Sequence, residues 1–122
     1  MAEHDDATLF YDEFAEDYDL AYGGNWDGAV ERQGASLDAL IRERVPDATT
    51  VLDCSCGIGT QAIGLAKLGF RVIGSDISAG EIERARREAQ RFGVDASFLV
   101  ADFRDLSRIE SKFDVVISCD NA

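Results

Sequence analysis

The sequence predicts an α/β fold built on a parallel sheet, and three observations carry that expectation. Four short apolar runs read as strands: Val51 to Asp53, Arg71 to Asp76, Ala96 to Ala101 and Phe113 to Ser118. Helical patterns separate the first three of them. The first strand also ends in an acid, turns through Gly57 and Gly59, and opens directly into a helix. Strands alternating with helices, joined by right-handed crossovers, give a parallel sheet.

From Leu9 to Tyr18 the apolar residues recur at helical spacing, so an N-terminal helix is expected there. Gly23-Gly24-Asn25 is a loop, and Asn25 or Asp27 can cap the next helix. Val30, Leu37, Leu40, Ile41 and Val45 predict the buried face of that helix, from about Asp27 to Arg44, stopped before Pro46. Thr60 to Leu68 is a second helix, ended by Gly69. Ser78-x-x-Glu81 is a capping box for a third, with Ile82, Ala85, Ala89 and Phe92 facing inward. Arg84, Arg86, Arg87 and Arg91 alternate with Glu81, Glu83 and Glu88, which predicts a solvated face with intrahelical ion pairs. The fourth strand is nearly all apolar, as expected where both faces are covered.

The 122 residues make one domain, with a formal net charge of −12. That balance argues against nucleic acid, whose phosphates favour basic patches. Residues 1–20 hold eight acids and no base, against sixteen acids and twelve bases in the remainder. The acidic leader reads either as a solvated terminus or as an arm that closes over a bound cofactor, the latter suggested by its interleaved aromatics. We divide the chain into an arm or lid, 1–26, and a cofactor-binding domain, 27–122. No signal peptide, membrane-spanning run or lipidation motif is evident, which makes the cytoplasm the expected compartment and its thiols reduced. Cys54, Cys56 and Cys119 lack zinc spacing, so no metal is expected.

The stretch Val51-Leu52-Asp53-Cys54-Ser55-Cys56-Gly57-Ile58-Gly59-Thr60 organises the chain. Glycines permit the positive φ angles of the turn and let a ligand lie against the backbone. Asp76, closing the next strand, is placed to bond both hydroxyls of a ribose. Gly57, Gly59 and Ala62 satisfy G-x-G-x-x-A, the spacing of dinucleotide binders, so a nicotinamide-dependent oxidoreductase module is the competing reading. Asp53 tells against it. A carboxylate here repels a pyrophosphate but suits a ligand carrying an ammonium and a sulfonium.

The pattern Asp53-x-x-Cys56-Gly57-x-Gly59-Thr60, with Asp76 beyond it, resembles motifs I and II of class I S-adenosylmethionine-dependent methyltransferases. Ser55 stands where that superfamily usually has its first glycine. The runs Val51 to Gln61 and Val116 to Ala122, with the leader Tyr11-Asp12-x-Phe14-Ala15-x-x-Tyr18-Asp19, are similar to the bacterial glycine/sarcosine N-methyltransferases. The resemblance runs from about Leu9 to the last residue. It implies a Rossmann-like sheet of order 3-2-1-4 with N-terminal helices, cut short after the fourth strand. It also implies S-adenosylmethionine as cofactor, S-adenosylhomocysteine as product and a small amine as acceptor.

The resemblance further suggests roles for individual residues. Tyr11 and Tyr18 would lie near the methionyl moiety. Trp26 is either a staple against the body or a wall of the pocket. Arg32 is either a solvated charge or the partner of the cofactor's carboxylate, which a planar guanidinium grips with two bonds. Asp102 would contact the adenine amino group and Phe103 would pack on the ring. Asp53, Cys54, Gly57, Gly59, Asp76 and Ile77 complete the cofactor set, and Cys119 would line the transfer channel through its backbone. Asn121 would bond the acceptor's carboxylate, or else is a turn residue. No residue stands out as an obligatory general base. The family continues for further strands, so the edge from Asp114 to Ser118 would be exposed. A fragment, a subunit of a split enzyme, or an oligomer whose copies cover that edge is therefore expected; a non-catalytic cofactor-binding subunit is the alternative.

Overall fold

The computed structural model describes residues 25–102, 104, 105, 109 and 112–118. Helix α1 spans Trp26–Arg44, β1 Thr50–Asp53, α2 Thr60–Lys67, β2 Arg71–Asp76, α3 Ala79–Phe92, β3 Ala96–Val100 and β4 Val115–Ile117. The four described strands form one sheet in the order β3-β2-β1-β4, all neighbours parallel. This is the Rossmann-like arrangement expected from the sequence. The expected N-terminal helix over Leu9 to Tyr18 lies outside the described residues.

Local chemistry accounts for the element ends. Asn25 caps α1, its side chain accepting from the Gly28 amide at 3.1 Å. Gly69 follows α2 with φ +103, an angle other residues rarely adopt. Ser78 caps α3, its hydroxyl accepting from the Glu81 amide at 3.1 Å.

Two successive right-handed crossovers in one direction, β1 to β2 and β2 to β3, place α2 and α3 on the same face of the sheet. Ile63, Ala85 and Phe98 all crowd the same side of Gly59, as that placement requires. Helix α1 lies over α2 at two glycines: a Cβ added to Gly34 would come within 2.7 Å of the Gly64 carbonyl. The core between helices and sheet includes Val30, Val51, Ile58, Ile63, Leu65, Phe70, Val72, Ile82 and Phe98.

Of the expected face of α1, Val30 and Ile41 are buried and Leu37 packs on the core, while two positions are corrected. Trp26, Ala29, Val30, Gly34 and Ile41 are buried, whereas Leu40 is 46% and Val45 38% exposed. The glycine contact brings the backbones of α1 and α2 together at Gly34 and Gly64, while Leu40 and Val45 are left on the outside. Strand β4 is also not covered on both faces. Leu52, Ile73 and Val116 are register partners, so they share the face away from Asp53 and Gly74. Val116 is 58% exposed there, at the end of the described sheet, whereas Leu52 on the same face is buried.

The charged face of α3 is less solvated than its composition suggests. The expected intrahelical pairs form, Arg84 with Glu88 at 2.9 Å and Arg91 with Glu88 at 2.7 Å. Arg84, however, is buried; Arg86 donates to the Phe98 carbonyl at 2.8 Å; and Arg91 reaches Asp27 of α1 at 2.8 Å. Arginine stems covering apolar surface while their heads find partners explain the difference.

Candidate cofactor site

The carboxyl ends of the strands are stitched together by backbone bonds that continue past the strands themselves. The Cys54 amide donates to the Ile117 carbonyl and the Cys56 amide to the Ser75 carbonyl, each at 3.0 Å. The Ala101 amide donates to the Asp76 carbonyl at 2.9 Å. Loops leaving β1, β2 and β3 are thereby held against one another at one end of the sheet, where ligands of such folds bind.

The turn after β1 depends on its glycines. Gly57 has φ +57 and Gly59 φ +97, both in the left-handed region. A Cβ on Gly57 would also stand 3.1 Å from a carboxylate oxygen of Glu81. Gly59 occupies the N-cap of α2 and offers no side-chain cap, so it does not compete with a ligand for the amides of the first turn. At the unexpected Ser55, the hydroxyl lies 3.0 Å from that of Ser118 and the amide donates to Asp53 at 3.4 Å. The position substitutes a side-chain bridge to the end of β4 for a glycine.

Asp76 is the half-buried centre of the arrangement. Its Oδ2 accepts the Gly57 amide at 2.9 Å and its Oδ1 the Ser78 amide at 3.0 Å. Ile77 beside it is exposed at 36%, an apolar side chain at the open end. Asp53 is fully buried, so any influence it has on a ligand is exerted through the field rather than by surface contact. Cys54 and Cys56 are free and buried. Burial, and then the charges of Asp53, Asp76 and Glu81, push the Cys56 thiol well above its ordinary value. Among the described residues no cluster of three histidine, cysteine or acidic side chains is arranged to hold a metal.

Asp102 stands one residue past Ala101 and carries an ion pair. Arg104 Nη2 meets its Oδ2 at 2.6 Å, and the Arg104 amide donates to Oδ1 at 2.9 Å. These bonds hold the exposed carboxyl down at about 2.

Asp53, Cys54, Gly57, Gly59, Asp76, Ile77 and Asp102 all lie at this end of the sheet. Trp26 does not form an open wall. It is 4% exposed, with its indole on Thr60 and its ring on Phe92, which matches the staple reading. Arg32 is exposed on α1. Tyr11, Tyr18, Phe103, Cys119 and Asn121 lie outside the described residues. Nothing in the sequence hints that Glu81 adjoins the turn. Its capping-box position reads as a solvated helix end, yet it is 4% exposed.

A family model described as a methyltransferase domain matches residues 51–122. This chain belongs to that family. The match includes the whole glycine turn and every described strand of the sheet from Val51 onward. The chain is 38% identical over 108 residues to the cypemycin N-terminal methyltransferase of a Streptomyces species, covering 87% of this chain and 40% of that protein. Among solved structures it is similar to DesVI of Streptomyces venezuelae, with a TM-score of 0.68, 31% identity, and coverage of 98% of this chain and 44% of that one. It is also similar to the magnesium protoporphyrin IX methyltransferase of Synechocystis, solved with bound S-adenosylhomocysteine, at TM-score 0.57 and 29% identity, covering 75% of this chain and 42% of that one. The chain thus spans about two fifths of the length of these relatives.

Proposed function

We propose that this chain is the cofactor-binding portion of an S-adenosylmethionine-dependent N-methyltransferase whose acceptor is a small amine such as glycine or sarcosine. The observation that carries the cofactor reading is Asp76. An ionised carboxylate has about four acceptor positions, and the two amides from Gly57 and Ser78 use two. One remains on each oxygen, the complement of two adjacent ribose hydroxyls. Glycine is also what the space at position 57 admits, since a Cβ there would stand 3.1 Å from the Glu81 carboxylate.

S-Adenosylmethionine supplies an activated methyl group on a cationic sulfur. The acceptor's lone pair attacks that carbon in line and the thioether departs, so the protein contributes alignment and electrostatics. In this reading Asp76 orients the ribose, Asp102 faces the adenine and Ile77 lies against it. Asp53 contributes negative potential beneath a positively charged ligand. Arg32, Tyr11, Tyr18 and Phe103 are proposed to complete the cofactor's surroundings, with Cys119 along the transfer channel and Asn121 on the acceptor. The amine class is supported by the likeness of the Val51 to Gln61 run and by a relative named for N-terminal methylation.

Partners are suggested by β4. It stands at the end of the described sheet, and Val116 is 58% exposed on the face away from the helices. Further chain, or a second copy, covering this strand would remove an apolar edge open to misassociation. A cofactor-binding subunit that acts only with such a partner is the second reading. No helix among the described residues is long and apolar enough to cross a membrane.

Calorimetric titration with S-adenosylmethionine, S-adenosylhomocysteine and a nicotinamide dinucleotide tests the reading. Binding of the first two alone is expected. Binding of the dinucleotide alone would replace it with the oxidoreductase reading. Turnover of glycine or sarcosine, alone or after adding the remaining part of the protein, tests the acceptor.

A further inference from the structure

Trp26 is the chain's one tryptophan and the first residue of α1. Its Nε1–H donates to Thr60 Oγ1 at 2.8 Å, across 34 positions of sequence. Both residues are buried, at 4% and 3% exposure. The indole also meets Phe92 edge-on, centroids 6.2 Å apart, and carries the Arg84 guanidinium over its ring at 5.8 Å. One side chain of α1 therefore touches both α2 and α3.

The location of its hydrogen bond matters more than its burial. Thr60 directly follows Gly59 and opens α2. Two left-handed glycines precede it; their amides hold the turn, Gly57 on Asp76 and Gly59 on the Cys56 carbonyl, each at 2.9 Å, but glycine brings no side chain to fix the start of α2. Asn25 caps α1 and Ser78 caps α3, whereas α2 has no side-chain cap. The indole bond to Thr60 restrains the start of α2 from outside the turn.

Resting on the cofactor reading, we propose that Trp26 is a positioning residue for the cofactor turn. Its N–H fixes Thr60, and through it the amides at the start of α2, in the geometry that receives the ligand. A turn left unrestrained must be ordered when ligand binds, and that ordering weakens affinity.

The test compares S-adenosylhomocysteine affinity, by calorimetry, with melting temperature in four variants. Trp26→Phe keeps a ring and removes the donor; Thr60→Val removes the acceptor and keeps the shape. Each is expected to weaken binding about fivefold, the size of one hydrogen bond, and the double variant no further. Thr60→Ser keeps the hydroxyl and should bind within about twofold of wild type. Emission from Trp26 should change on ligand addition in wild type and less so in Thr60→Val. If Trp26→Phe does not fold, the Thr60→Val and Thr60→Ser pair carries the same comparison. Unchanged affinity in Thr60→Val, or losses in Thr60→Ser equal to those in Thr60→Val, overturns the proposal. Failure of wild type itself to bind overturns the cofactor reading beneath it.

Discussion

The Gly57 amide donates to Asp76 Oδ2 at 2.9 Å, joining the turn after β1 to the end of β2 across 19 residues. The bond ties the shape of the turn to the carboxylate proposed to hold the ribose. Asp76→Asn retains size but replaces one acceptor oxygen with a donor group. That substitution is expected to weaken S-adenosylhomocysteine about ten- to a hundredfold, since bonds to a charged acceptor contribute roughly 1.5–3 kcal/mol. Titration calorimetry measures it, and wild-type affinity in the variant would remove Asp76 from the site.

The contact between α1 and α2 leaves no room for a methyl group. A Cβ on Gly64 would lie 2.5 Å from the Val30 carbonyl oxygen. Alanine has the better helix propensity by about 1 kcal/mol, yet overpacking of this kind costs about 1–3 kcal/mol. Gly64→Ala should therefore lower the melting temperature by several degrees, read by calorimetry. A rise would show that the helices separate without penalty.

The Cys56 thiol is both buried and surrounded by Asp53, Asp76 and Glu81. Its raised pKa leaves little thiolate at about pH 8. Iodoacetamide should label it far more slowly in the native chain than after unfolding, as tracked by peptide mass spectrometry. Equal rates would mean that the turn opens readily.

Asp114 and Thr50 bond reciprocally below the strands. The Asp114 carboxylate accepts the Thr49 amide at 2.8 Å and the Thr50 amide at 3.2 Å, while the Asp114 amide donates to Thr50 Oγ1 at 2.9 Å. The Thr49 and then the Thr50 amide hold its carboxyl below the usual carboxylate range. A depressed folded value stabilises the fold above the unfolded pKa, near about 3.9, and that contribution is lost as pH falls through the folded value. Asp114→Asn should be less stable than wild type at about pH 6, with the gap narrowing below about pH 4. Urea midpoints across that range would show it; a constant gap would make the charge irrelevant.

Much of the site was legible because it is local. The turn, Asp76 and the start of α2 lie within one strand–turn–helix–strand unit, where spacing dictates geometry. Glu81 and Arg84 were not legible, because helical periodicity describes a helix against solvent. It does not report that the first turn of α3 adjoins Gly57, or that Trp26 of α1 lies under Arg84. On α1, Val30, Leu37 and Ile41 face inward as expected, and two positions failed for a related reason. Leu40 and Val45 fit the apolar stripe, but the helices meet at Gly34 and Gly64, and glycine adds nothing to an apolar pattern. Trp26 shows the limit of carrying roles over by resemblance, since its link to the turn runs through Thr60 rather than through an open pocket wall.

The strand registers also imply an order of assembly. Val51 pairs with Val72, and Val72 with Ala96, whereas Val51 finds its β4 partner only at Val115. Loop closure becomes more costly with separation, so the first three strands zip together before the fourth. On a ribosome, the bond from Gly57 to Asp76 can form once β2 has emerged, before β4 has been synthesised. Under the proposed function, the nascent chain would then already carry Asp76 on the turn that is to receive the ribose, and ligand captured at that stage would stabilise the intermediate to which β4 is added.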